Sequence, residues 1–171
     1  MPVADIMLDG AEIDARHVAV RRDDRAWQLF RILTLAEVFG LASRAFSRTI
    51  EYLGQRRQFG QVIGAFQALK HMAADDRVRL ENIRIALDHA AWAFDCGAHE
   101  LPTAIDVAWF TGIRAAREVA QNAIQAHGGI GFTWEVGLHC YLRRIVQLAA
   151  LFGDEASSSE NVSAWILDDS S

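Results

Sequence analysis

Gly128, Gly129 and Gly131 fall within four positions of one another and are followed directly by Phe132 and Trp134. They lie in the decamer Ala126-His127-Gly128-Gly129-Ile130-Gly131-Phe132-Thr133-Trp134-Glu135, between stretches of helical pattern. Backbone without a Cβ can approach a bound molecule closely, so this is the stretch whose residue types point most directly to ligand contact. The same glycines also suit a plainer role, because a helix ending at Ala126 or His127 takes a left-handed glycine just past its end. One glycine satisfies such a cap, and the remaining two need another cause.

The elements that must position this loop are helical. Only Pro2 and Pro102 interrupt 171 residues, and 51% of the chain is apolar, enough for one substantial core without staples. Asp23-Asp24 offers an N-terminal cap for a helix reaching about Arg56, with Leu29, Ile32, Leu33, Ala36, Phe39, Ile50 and Leu53 at helical spacing. Gly60 and Gly64 break it. A second helix is expected over 65–94, a third from a Thr103 cap to Ala126, a fourth from Glu135 to Leu151, and a short fifth between Asp154 and Leu167. The predicted fold is all-α, an up-down four-helix bundle with an extra C-terminal helix over residues 23–168. Residues 1–22 read as an extended, hairpin-like lead-in around Asp9-Gly10, resembling the end of a sheet domain, and 169–171 as a frayed tail.

Composition narrows the function classes. The net charge is −5 and the basic residues are scattered, so neither a nucleic-acid footprint nor a polybasic membrane anchor is expected. No apolar run is long enough to span a bilayer. Cys96 and Cys140 lack disulfide-framework or zinc spacing, which fits a reduced, cytoplasmic setting and no metal.

Two stretches carry a family resemblance. Tyr52-x-x-x-Arg56-x-x-Phe59-Gly60-x-x-Ile63-x-x-Phe66-Gln67 resembles one hallmark of acyl-CoA dehydrogenases, and Gln125-x-His127-Gly128-Gly129-x-Gly131-Phe132 resembles the second. The resemblance covers that family's C-terminal helical domain. It implies FAD as cofactor, an acyl-CoA as substrate and a flavin lying across a subunit interface. Arg56 then corresponds to the arginine that pairs with the FAD pyrophosphate of a neighbouring subunit, a role suited to an always-charged fork. Its plainer alternative is a solvated arginine at a helix C-terminus. By the same resemblance Phe59 lies near the adenine, Gln67 hydrogen-bonds the cofactor, and Gln125, Gly128 and Gly129 approach its adenosine and diphosphate side. The ordinary alternatives are a core anchor for Phe59 and a first-turn polar residue for Gln67. Trp134 fits a core or an interface position equally.

The family's base is a glutamate, either 26 residues before the motif arginine or just before a glycine after the fourth helix. Those positions hold Phe30 and Phe152, neither of which accepts a proton. Glu37, Glu135 and Glu155 are the nearby carboxylates, and a base must stand within hydrogen-bond reach of the proton it takes. No catalytic residue is therefore expected in this chain. It resembles the base-less subunit of heteromeric bacterial acyl-CoA dehydrogenases, including those acting on steroid side chains, and the resemblance implies a homo-oligomer or a hetero-oligomer with a base-carrying subunit as partner, the acyl-CoA being reached through that partner. The alternatives are a flavin-free helical oligomerisation module and a truncated piece of a full-length enzyme.

Overall fold

The computed structural model describes residues 24–151 and 155–168, together with Met7, Asp9, Gly10, Glu12 and Asp14. The hairpin expected over 4–20, the Asp23 cap and the tail at 169–171 therefore fall wholly or mostly outside the described residues. Among the described residues five helices follow one another: α1 (Asp24–Gln55), α2 (Gln67–Cys96), α3 (Leu101–His127), α4 (Leu138–Ala150) and α5 (Glu155–Asp168). A two-stranded ribbon, β1 (Arg57–Gln58) and β2 (Gln61–Val62), joins α1 to α2. The all-α bundle with an added terminal helix is the architecture observed.

α3 is the hub and packs against α1, α2, α4 and α5. Its buried stripe of Ile105, Ala108, Trp109, Ile113, Ala116, Val119 and Ala120 faces Leu35, Val38 and Ala42 of α1, Leu80, Ile83, Ala90 and Ala93 of α2, and Ile145 and Leu148 of α4. Small residues at these contacts let the helix axes approach, and Gly112 receives the Leu35 side chain where a Cβ would obstruct it. Polar staples complete the packing. Arg31 of α1 donates to Asp106 of α3 at 2.7 Å, and Asn161 of α5 donates to the other Asp106 oxygen at 3.0 Å. Arg144 of α4 makes a two-pronged pair with Glu37 of α1, at 2.7 and 3.2 Å.

Two helix starts differ from the sequence expectation. α3 begins at Leu101 with Glu100 as its flanking residue, not at a Thr103 cap. Pro102 sits in the first turn, where its missing N–H leaves nothing unsatisfied and its fixed φ suits the helix. α4 begins at Leu138 rather than Glu135, because a separate turn intervenes. The Gly137 amide donates to Thr133 O at 2.9 Å, and Gly137 itself takes a left-handed φ of 65° immediately before the helix.

Candidate functional site

The α1–α2 junction is a tight hairpin. Arg57 pairs with Val62 and Gln58 with Gln61, and the two turn residues Phe59 and Gly60 have φ of 50° and 81°. Positive φ at both central positions is the signature of a type I′ turn. Gly60 accepts it without penalty; Phe59 does not, since a left-handed conformation costs an L-residue with a bulky side chain roughly 1–2 kcal/mol. Among the described residues the Phe59 side chain recovers little, being 91% exposed with an edge contact to Phe66 at 6.2 Å. The core-anchor alternative for Phe59 is thereby excluded. Gly64 then passes so close to α1 that a Cβ would meet Leu53 O at 2.9 Å.

Arg56 is exposed at the end of α1 and its guanidinium has no ion pair or hydrogen bond among the described residues. Gln67 opens α2, where its Nε2 donates to His71 Nε2 at 2.8 Å. Beside the hairpin lies an apolar groove of about 450 Å³, lined by residues including Ile50, Leu53, Val62 and Leu69, with Lys70 among them.

The glycine loop folds as a short 3₁₀ turn over Gly128–Phe132. Its three glycines have three different reasons. Gly128 takes φ 62° and ψ −141°, a conformation closed to residues with a Cβ, and so ends α3. A Cβ on Gly131 would press into the carbonyl oxygen of Ile124. Gly129 has neither demand: its φ is not left-handed, and a Cβ there would meet nothing within 4 Å. The space above Gly129 is open.

His127, the last residue of α3, is buried. Its Nδ1–H donates to Ala123 O at 2.8 Å, and its ring stacks on Tyr52 at 4.2 Å and 16°. Burial holds its pKa below the usual histidine value against the raising effect of the Ala123 hydrogen bond, with Arg48 adding to the lowering. Tyr52 is one turn before Arg56 and Gln125 two residues before His127. The stack therefore brings both motifs to one end of the bundle, where Arg56, Phe59, Gln67, exposed Gln125, Gly128 and Gly129 are gathered. Phe132 and Trp134 are 72% and 74% exposed there, which removes Trp134 from the core of this chain.

Of the two expected base positions, Phe30 is not part of this cluster. Phe30 precedes Arg56 on α1 by 26 residues, about 39 Å at 1.5 Å rise per residue, and its half-exposed ring is a hydrocarbon. Phe152 and the side chain of Glu155 lie outside the described residues. Glu37 is committed to Arg144. Glu135 is exposed beside the glycine loop; its own backbone N–H and then the Thr133 hydroxyl hold its pKa below the usual carboxylate value. Sequence reasoning missed two buried acids: Asp106 of α3, which accepts from Arg31 and Asn161, and Asp76 of α2, which accepts from Asn122 of α3 at 2.8 Å. For Asp76 the available signal was its position on the buried stripe with Leu80 and Ile83.

Comparison with known proteins agrees with the two motifs. The family described as "Acyl-CoA dehydrogenase, C-terminal domain" matches residues 24–167. Acyl-CoA dehydrogenase FadE34 of Mycobacterium tuberculosis is 34% identical over 165 residues, which cover 96% of this chain and 23% of that protein. The solved structure of the Tcur3481-Tcur3483 steroid ACAD G363A variant superposes with a TM-score of 0.78 at 28% identity, covering 84% of this chain and 40% of the other. The FAD complex of PigA superposes at 0.73 with 28% identity, over 77% and 34%. This chain spans between about a quarter and two-fifths of the length of these relatives. Among the described residues no helix is long and apolar enough to cross a membrane. The match extends through all five helices and both motifs, and the chain belongs to the acyl-CoA dehydrogenase family, of which it represents the C-terminal helical domain.

Proposed function

We propose that this chain supplies the FAD-contacting helical half-site of an acyl-CoA dehydrogenase assembly and performs no proton abstraction itself. The observation that carries the reading is Phe59: a bulky aromatic held in a left-handed turn and almost wholly exposed, an arrangement nothing among the described residues rewards. Strain of this kind is maintained where an outside partner uses it.

The residues at this end of the bundle fit a flavin dinucleotide. Arg56 offers an uncommitted guanidinium for the diphosphate, Phe59 an aromatic face for the adenine, and Gln67 and Gln125 amide groups for hydrogen bonds. The open space over Gly129 admits the ligand against backbone, which a Cβ would fill. The chemistry FAD supplies when bound is acceptance of the hydride from the β-carbon of an acyl-CoA thioester.

Phe30 stands about 39 Å from Arg56 along α1, so the diphosphate-binding end and the family's base position on one chain serve different sites. The carboxylate that removes the α-proton belongs, on this account, to a base-carrying partner subunit. Exposed apolar residues Phe132 and Trp134 beside the glycine loop suit the covering that such a partner provides. The test is reconstitution: the purified chain, FAD and a base-carrying acyl-CoA dehydrogenase subunit are combined and acyl-CoA oxidation is followed. Activity that requires both chains and is lost with Arg56→Ala supports the proposal. Oxidation by this chain alone contradicts it.

A further inference from the structure

The apolar groove beside the hairpin opens on the flank of α1 away from the Tyr52–His127 stack. Successive helix residues are about 100° apart, so Ile50 and Gly54, two positions either side of Tyr52, sit on the opposite side of the helix from it. The walls are Ile50 and Leu53 of α1, Val62 of β2, and Leu69 and Ala73 of α2, and the volume of about 450 Å³ is that of a small-molecule site. Among the described residues that line it, Lys70 alone carries a polar side chain. Two glycines shape the space. A Cβ on Gly64 would meet Leu53 O at 2.9 Å, so the chain entering α2 lies against α1 and closes one side of the groove. Gly54 has no such cause. It sits in the last turn of α1, where glycine weakens a helix relative to alanine, its φ is not left-handed, and a Cβ there would meet nothing within 4 Å. The space it leaves open belongs to the groove.

We infer that this groove binds an aliphatic carboxylate, its hydrocarbon chain laid between α1 and α2 and its carboxylate at Lys70. A lining with one polar group at its rim takes a ligand whose own polar group is confined to one end. Lys70 is the chain's only lysine, and it is exposed: its apolar stem covers the groove wall while its ammonium reaches water. The charge is unopposed. Positions one helical turn to either side hold Phe66, Gln67, Ala73 and Ala74, and α2 has no acid in its first turn. The ammonium has no ion pair or hydrogen bond among the described residues. A cation in the first turn of a helix is repelled by the positive end of the helix dipole, and an anion beside it relieves that repulsion. A compact ammonium suits a single carboxylate as a point charge, whereas a guanidinium fork suits a diphosphate. The site stands apart from the flavin reading, since none of Arg56, Phe59, Gln67, Gln125 or the loop glycines lines it.

The experiment is isothermal titration of the full chain with octanoate, below the concentration at which it forms micelles, and with octyltrimethylammonium as a cation of matching chain. Octanoate is expected to bind at one saturable site, and the cation roughly tenfold or more weaker. Lys70→Gln removes the charge at an exposed position and weakens octanoate binding roughly tenfold. Gly54→Leu puts a side chain into the open groove and abolishes binding, with the helical circular dichroism unchanged in both variants. Excess FAD leaves octanoate binding as it was, which separates this groove from the cofactor site. The inference is overturned by the absence of saturable binding, by binding unchanged in either variant, by cation binding as tight as that of octanoate, or by displacement of octanoate with FAD.

Discussion

The Tyr52 and His127 rings lie 4.2 Å apart and 16° from parallel, and this stack ties the C-terminal end of α1 to the C-terminal end of α3. Both sequence motifs are anchored by it, since Tyr52 opens the first and His127 is inside the second. Tyr52→Ala removes an aromatic pair worth about 1 kcal/mol beyond its packing and frees the two ends from one another. The expected result is a melting temperature lower by several degrees and weaker flavin retention, measured together by thermal denaturation and flavin absorbance.

Phe59 should show stability and function opposed. Phe59→Asn places Asn-Gly in the turn, the pair best suited to positive φ at both positions, and relieves roughly 1 kcal/mol of backbone strain. The chain is expected to melt a few degrees higher while losing affinity for flavin. A variant that binds flavin as the wild type does would show that the strained aromatic has no role in the site.

The glycine loop offers a paired test. Gly129→Ala meets nothing within 4 Å, so stability should be unchanged while flavin binding weakens. Gly131→Ala drives a methyl into the Ile124 carbonyl and should destabilise the fold by about 1–3 kcal/mol, the range of overpacked sites. Denaturant midpoints separate the two.

How far these features could be read from the sequence differs from site to site. The stripe of α3 was legible because Ile105, Ala108, Trp109, Ile113 and Ala116 repeat at helical spacing. The α1–α2 hairpin was not, because Phe59-Gly60 lacks the Asn or Asp that announces a type I′ turn; the glycines marked only a break. Glu135 suggested a helix start by its charge, yet the Thr133–Gly137 turn takes precedence. Arg56, Phe59, Gln67, Gln125 and the glycines were identified by motif, and only the fold shows that the Tyr52–His127 stack gathers them. Asp76 lay on an apolar stripe, but its partner Asn122 is 46 residues away and no local pattern pairs them.

Asp76 gives the stability a pH dependence. Burial raises its pKa from 3.8 to about 6, against the lowering effects of Asn122 and Arg79. The folded chain thus holds this proton more tightly than the unfolded chain, and the Asp76 contribution to stability falls as pH rises from about 4 to about 6. Asp76→Asn mimics the protonated form. It should flatten that slope and leave the chain more stable above this window by about 2–3 kcal/mol, since each tenfold difference in proton affinity between the folded and unfolded chain is worth about 1.4 kcal/mol. Urea midpoints on either side of the window measure the effect.

The central claim is that Arg56, with the hairpin and glycine loop around it, completes a flavin site shared with another chain. The most direct measurement is the visible absorbance spectrum of the purified native complex, with mass spectrometry of every chain present, for the wild type, Arg56→Ala and Arg56→Lys. Flavin bands and a second, base-carrying chain are expected in the wild type. Arg56→Ala should bleach the sample without loss of fold, because this guanidinium has no partner among the described residues, and Arg56→Lys should recover only part of the colour, since its point charge lacks the fork. A colourless wild-type complex, or flavin bands undiminished in Arg56→Ala, would contradict it.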